Sequence, residues 1–271
     1  VPVEVQTEYD LMVMTEEHFK EVAYAVTGVA FDLHNQLGGL HREETWKQAL
    51  AAGCREIGLE NVDVEVPVIV RFLDFTKEYR LDLLVECGAL FELKATAALH
   101  DQHYAQTLNY IHLTGLRRGK LLNFGGDQVE SRFVSTTLSQ ADRRNATVKD
   151  DCWKSFDSRD VELKVVLIEL VHDVGACLTL DLYREAVVHL LGGAVQVVRD
   201  VPISLKDDVI GYEKMNLHSP ERAFLITGYR GNLTGVAGHL SRLLKHIPLE
   251  AIQWINLDKR NITFQTVERT D

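Results

Sequence analysis

The sequence has few cysteines, no long apolar run and no excess of positive charge. Each absence closes off a class of function. Its four cysteines, Cys54, Cys87, Cys152 and Cys177, stand far apart and form no CxxC pair. That spacing argues against a zinc knuckle and reads as free thiols of a reducing compartment. No stretch approaches the roughly 18 consecutive apolar residues of a membrane-spanning helix, so no membrane association is expected. The opening residues, VPVEVQTEYD, have no basic segment followed by an apolar one. No secretory signal is read there, and the expected location is cytoplasmic. The formal net charge is -11, whereas a chain that held polyanions through its global field would be basic. Contact with nucleic acid would have to rest on a local basic patch or on metal ions.

What remains is ordinary globular material: 271 residues, 46% hydrophobic and 25% charged, enough for one large domain or two of typical size. Residues 1–14 read as an N-terminal arm. Thr15 then serves as a helix N-cap, and Phe19, Val22, Val26, Val29, Ala30, Leu33 and Leu37 form one apolar stripe at helical spacing that ends at Gly38 and Gly39. A second helix spans about 42–57. Three strands follow, in NVDVEVPVIVRFL, EYRLDLLVE and ALFELKA; then comes a helix closed by Gly115 and a short buried strand, GKLLNFG. This α-α-β-β-β-α-β order implies a layered α/β fold. Residues 135–160 have few large apolar side chains and no steady period, and read as a linker.

After the linker the pattern starts again. His34 matches His172, Gly38 matches Gly175, Trp46 matches Tyr183, Pro67 matches Pro202, and Asn123 matches Asn256, with an offset drifting from about 138 to 133. Chance pairings would scatter, so the chain reads as two copies of one fold. The copies differ where charge matters: Asp82, Glu92 and Lys94 fall opposite Asn216, Ile226 and Gly228, and Glu43 falls opposite Leu180. The charged set is therefore not demanded by the fold.

Within the first copy, Glu92 and Lys94 interrupt an apolar strand two positions apart, so they share one face. Burying such groups costs on the order of several kcal/mol unless they are paired or hold a metal. Asp82 lies across the ECG turn on the preceding strand. Two carboxylates with a backbone carbonyl, that of Leu93, suit Mg²⁺ or Mn²⁺, and a lysine beside them can orient a water. The bland reading is a buried ion-pair network with Lys94 and Arg80. A second ELK, at Glu162 to Lys164, has no suitably spaced aspartate before it and reads as a solvated helix start.

The stretch RLDLLVECGALFELKA resembles the PD-(D/E)xK nuclease core, with Asp82, Glu92 and Lys94 in the motif positions. Gln106 and Tyr110 resemble the QxxxY motif of its RecB-like branch. Residues 20–125 resemble more closely the bacterial GxxExxY proteins, with Glu43 as the motif glutamate, Leu40 at the glycine position and Trp46 at the tyrosine position. The resemblance implies a tandem pair of PD-(D/E)xK-like domains, each a central mixed sheet flanked by helices: 15–134 with the motif intact and 161–271 a degenerate second copy. It implies Asp82, Glu92, Lys94 and Glu43 as catalytic residues and Asp82, Glu92 and the Leu93 carbonyl as ligands of Mg²⁺ or Mn²⁺.

Gln106, Tyr110 and the basic run Arg117, Arg118 and Lys120 are placed around substrate. The basic run has an equal alternative as a solvated helix end. The expected function is metal-dependent phosphodiester hydrolysis, on DNA rather than RNA, from one active site that nicks. The copies would pack as an intramolecular pseudo-dimer, and self-association of the chain is compatible with this. The alternative is a catalytically inactive nuclease-fold binding or assembly module. A hydrolase of small phosphorylated molecules is a third, weaker reading.

Overall fold

The computed structural model describes residues 2–206 and 208–269. The chain divides into two compact units, Val1–Arg71 with Thr76–Gln140 and Phe72–Phe75 with Ala141–Asp271. The first carries β1 (Val3–Val5), α1 (Glu16–Leu37), α2 (Glu43–Glu56), β2 (Asp63–Phe72), β3 (Phe75–Val85), β4 (Ala89–Lys94), α3 (Asp101–Thr114), β5 (Arg118–Asn123) and β6 (Glu130–Ser135). Thr15 caps α1 by accepting the His18 N–H at 3.2 Å, and acidic Glu16 and Glu17 face the helix dipole. Gly115 closes α3 with φ 76°, a left-handed conformation that a side chain would strain.

The strands form a six-stranded sheet in the order β1-β2-β3-β4-β5-β6, in which β4 and β5 are parallel because α3 crosses between them. Every residue of β4 is buried, as suits a central strand covered on both faces. Phe91, Leu93, Leu122 and Phe124 pack with Val22, Val26, Trp46 and Leu50 of α1 and α2. Alternation then turns Glu92, Lys94, Leu121 and Asn123 to the opposite face. Within the 1–14 segment, Val3–Val5 adds an antiparallel edge strand to Val68–Val70, with Glu4 and Arg71 paired at 2.8 Å. Val1 lies outside the described residues.

The second unit holds α4 (Gln140–Arg144), β7 (Thr147–Cys152), α5 (Ser158–Val174), α6 (Leu180–Leu190), α7 (Ala194–Val197), β8 (Val198–Leu205), β9 (Asp208–Ser219), β10 (Arg222–Thr227), α8 (Leu233–Leu244), β11 (Ala251–Asp258) and β12 (Asn261–Glu268). The stretch expected to be a linker, 135–160, thus contains a helical turn and a strand. β7 pairs in parallel with β12. Its residues are all exposed, which is why no apolar period announces it.

The second sheet runs β7-β12-β11-β10-β9-β8, so β8 to β12 repeat the order of β2 to β6, again with the α-linked pair, β10 and β11, parallel. Asn123 and Asn256 close the likeness. Asn123 pairs with Lys94, and its Oδ1 accepts the Thr96 N–H at 3.0 Å; Asn256 pairs with Thr227, and its Oδ1 accepts the Tyr229 N–H at 2.8 Å.

This register shifts part of the sequence match by one residue. Leu83 faces Phe91 and Asn216 faces Phe224, so Asp82, Glu92 and Lys94 correspond to Met215, Leu225 and Thr227. Likewise Gly38 and Gly175 each donate to the carbonyl four residues back, on His34 and on Val171, so His34 corresponds to Val171 rather than His172. The second unit has no ionisable side chain at the three motif positions. Met215 and Leu225 pack there against an apolar cluster with Trp254 and Leu244.

Candidate active site

The site of the first unit forms where three elements meet. β3 brings Asp82, β4 brings Glu92 and Lys94, and the first turn of α2 brings Glu43, Glu44 and Lys47. The printed β3–β4 ladder runs from Val85–Ala89 to Leu83–Phe91. Beyond it, Asp82 Oδ2 accepts the Leu93 N–H at 2.8 Å, so a side chain takes a ladder-like bond and is fixed by it. Lys94 Nζ lies 2.7 Å from Glu92 Oε1, 3.8 Å from Glu43 Oε1 and 4.0 Å from Asp82 Oδ2. The structure therefore brings Asp82, Glu92, Lys94 and Glu43 around one ammonium group. Arg80 is not part of this network; it is more than half exposed and pairs with Glu78.

Burial dominates the electrostatics. The Glu92 side chain is 1% exposed, and burial, reinforced by the charge of Asp82, pushes its carboxyl up to about 8. Its Oε2 is buried without a hydrogen-bond partner. Burial also raises Asp82 and Glu43, against the pull of the lysines. Burial alone would lower Lys94, but Glu92, Asp82 and Glu43 together outweigh it and the amine stays charged. Glu43, with 38% of its side chain exposed, stands at the solvent side.

Three residues that the sequence reading missed, Glu44, Lys47 and Glu65, complete the cluster. Lys47 Nζ is bonded to Glu65, lies 3.0 Å from Glu44 and 3.6 Å from Asp82 Oδ1, and is almost wholly buried. Burial opposes its charge, but Glu65, Glu44 and Asp82 together outweigh it and raise the amine. The signal was available: Glu43 and Lys47 stand four apart on α2 and so share its face. Glu65 had no such signal, because it is aimed by a positive φ of 54° within β2.

Gln106 Nε2 donates to Tyr110 Oη at 3.0 Å, so the QxxxY pair is bonded to itself. Burial, then the nearby charge of Glu92, makes the Tyr110 hydroxyl harder to ionise. Of the basic run, two residues turn away from the carboxylates. Lys120 and Arg118 alternate with Gly119 and Leu121 and so point to the α1 face, away from the carboxylates. Lys120 Nζ bonds Thr27 at 2.7 Å and lies over the Phe133 ring, Arg118 pairs with Glu16 at 3.3 Å, and Arg117 donates to the Thr137 carbonyl at 2.8 Å.

Hard oxygen donors with an orphaned, buried carboxylate oxygen fit a divalent cation. Among the described residues there is no ready cluster of three or more His, Cys, Asp or Glu side chains spaced to hold a metal. Lys94 stands between the acids instead. In the second unit the buried charges gather elsewhere: Asp160 accepts from His218 at 2.6 Å and from Gln253 at 2.8 Å, and Arg222 pairs with Asp157 at 2.5 Å.

This ordered set of a strand aspartate, a strand Glu-x-Lys and a helical glutamate has a counterpart among known proteins. Residues 20–134 match the model of the PD-(D/E)XK nuclease superfamily. The match covers the unit that carries the carboxylates and ends before the second. PD-(D/E)XK nucleases typically use divalent metals. The solved structure of SSO0001 is 18% identical over 46% of this chain; the alignment spans 62% of that protein's length with a TM-score of 0.26, a likeness too slight to carry an argument. No curated protein matches the chain. Among the described residues no helix is long and apolar enough to cross a membrane.

Proposed function

We propose that the first unit is a metal-dependent nuclease, close to the GxxExxY proteins, that cleaves DNA in preference to RNA, and that the second unit is a degenerate copy. The observation that carries this reading is Glu92, a carboxylate buried beside Asp82 with one oxygen left without a partner. A purely structural ion pair would gain nothing from that oxygen, whereas a cation would use it. Asp82, Glu92 and the Leu93 carbonyl would hold Mg²⁺ or Mn²⁺. Bound there, such an ion would neutralise charge developing on the scissile phosphate and acidify a water. Lys94, kept charged by the surrounding carboxyl groups, would donate to the attacking water and fix its approach. Glu43, at the solvent side and raised by burial, is suited to take the water's proton. Gln106 and Tyr110 would meet the substrate phosphate from the rim.

The test is cleavage of single- and double-stranded DNA and RNA with Mg²⁺ or Mn²⁺. Lys94→Ala and Asp82→Asn should each lower the rate by about 10²–10³-fold, the usual scale for a lost transition-state contact. Activity that survives both substitutions would sink the assignment. A second reading, an inactive binding or assembly module, draws on the basic residues spent on the far face and on the acidic net charge of -11. It would be favoured by no cleavage of any substrate together with no bound metal.

A further inference from the structure

Asp82 turns its two oxygens to different neighbours. Oδ2 accepts the Leu93 N–H at 2.8 Å and lies 4.0 Å from Lys94 Nζ, while Oδ1 lies 3.6 Å from Lys47 Nζ. Lys47 is held in turn by Glu44 and Glu65, with 9% of its side chain exposed. Sites that work with two metal ions place them roughly 3.5–4 Å apart around shared ligands. Here the outer side of Asp82 is already taken by an enclosed ammonium. The enclosure is built into the backbone, since Glu65 reaches Lys47 from a φ of 54° that non-glycine residues adopt rarely and at a cost.

We propose that the first unit takes one divalent cation only, on the Glu92 side of Asp82, because Lys47, clamped by Glu44 and Glu65, permanently fills the place of a second. Lys47 is thus a positioning residue that sets the metal count and holds Asp82 in line. This inference rests on the proposed metal site, and its failure can be told apart from the failure of that site.

The full chain is titrated with Mn²⁺, the ions being counted by calorimetry and their spin coupling read by electron paramagnetic resonance. Wild type should bind one magnetically isolated Mn²⁺ that Asp82→Asn abolishes. Glu65→Gln should leave the count at one, because Glu65 serves Lys47 and not the ion. Lys47→Ala frees Glu44, Glu65 and Asp82 Oδ1 and should admit a second, spin-coupled ion. Should that variant fail to fold, the count in wild type still decides the single-cation inference, and Lys47→Gln, which keeps part of the side chain without its charge, takes its place in the test of Lys47. Two coupled ions in wild type would overturn the single-cation inference and leave the proposed function standing. A count of one in folded Lys47→Ala would overturn the role of Lys47. No bound ion, or an ion that survives Asp82→Asn, would overturn both readings.

Discussion

Glu92 is where the first unit spends stability. Its carboxyl ionises near 4.5 in an open chain and at about 8 in the fold. Between those values the folded chain holds a proton that the unfolded chain has lost, so this group makes stability fall as pH rises through that window and adds no slope outside it. In EDTA, Glu92→Gln should therefore melt higher than wild type, by a margin that widens from pH 5 to pH 8. Equal pH profiles for the two would contradict the buried, protonated carboxyl. A cation held by Glu92 as proposed would expel the same proton, so Mn²⁺ affinity should tighten as pH rises toward 8.

Trp46 shows the opposite case, a residue whose chemistry is structural. It is stacked between His34 and Phe124, at 5.9 and 4.4 Å, and is fully buried. Tyr183, its match in the second unit, uses its hydroxyl to donate to the Gly175 carbonyl at 2.7 Å and to accept the Leu178 N–H at 3.2 Å. The hydroxyl there ties a helix end to the next turn, which supports reading its loss at Trp46 as a change of packing and not of catalysis. Trp46→Ala should cost about 3–5 kcal/mol in urea unfolding, the range for a buried aromatic.

At the scale of elements, the site depends on where strands end. The α2 first turn supplies Glu43 and Lys47 because helical spacing puts them on one side, and this much is legible in the sequence. Asn123 fixes the loop after β4 through the Thr96 N–H and its own turn through the Gly125 N–H at 3.2 Å. Gly125 is obligatory there, because a Cβ would stand 2.4 Å from the Thr96 carbonyl oxygen. Asn123→Ala leaves those amides unpaired and should cost about 1–3 kcal/mol; Asn256→Ala should do the same to the second unit. Denaturant midpoints check both, and a neutral result at either would break the proposed equivalence. The basic run does not form one patch beside the carboxylates, for an elementary reason. A run of adjacent cations reads as one patch along the chain, but a strand sends alternate residues to opposite faces, and the chain before β5 settled which face each took.

At the scale of the molecule, five strands of each sheet share one order, while the charged positions of the first become Met215, Leu225 and Thr227 in the second. Leu225→Ala should lower the stability of the second unit by about 1–2 kcal/mol, less than a fully buried leucine, and leave any cleavage rate unchanged. A cleavage rate that fell with it would place the second unit in the reaction. If the chain has the one site proposed, supercoiled plasmid should pass through an open-circular form before any linear product appears. The sequence by itself determined the three helices and central strands of the first unit, the repeat of their pattern and the acid-lysine set, because each is written in local periodicity or in a spacing that survives within one element. Only the tertiary structure decided the one-residue register between the copies, the exposed strand β7, the face taken by Lys120, and the enclosure of Lys47 by Glu65. Those depend on which backbone groups pair across the chain and on one left-handed residue, and neither leaves a pattern in the sequence.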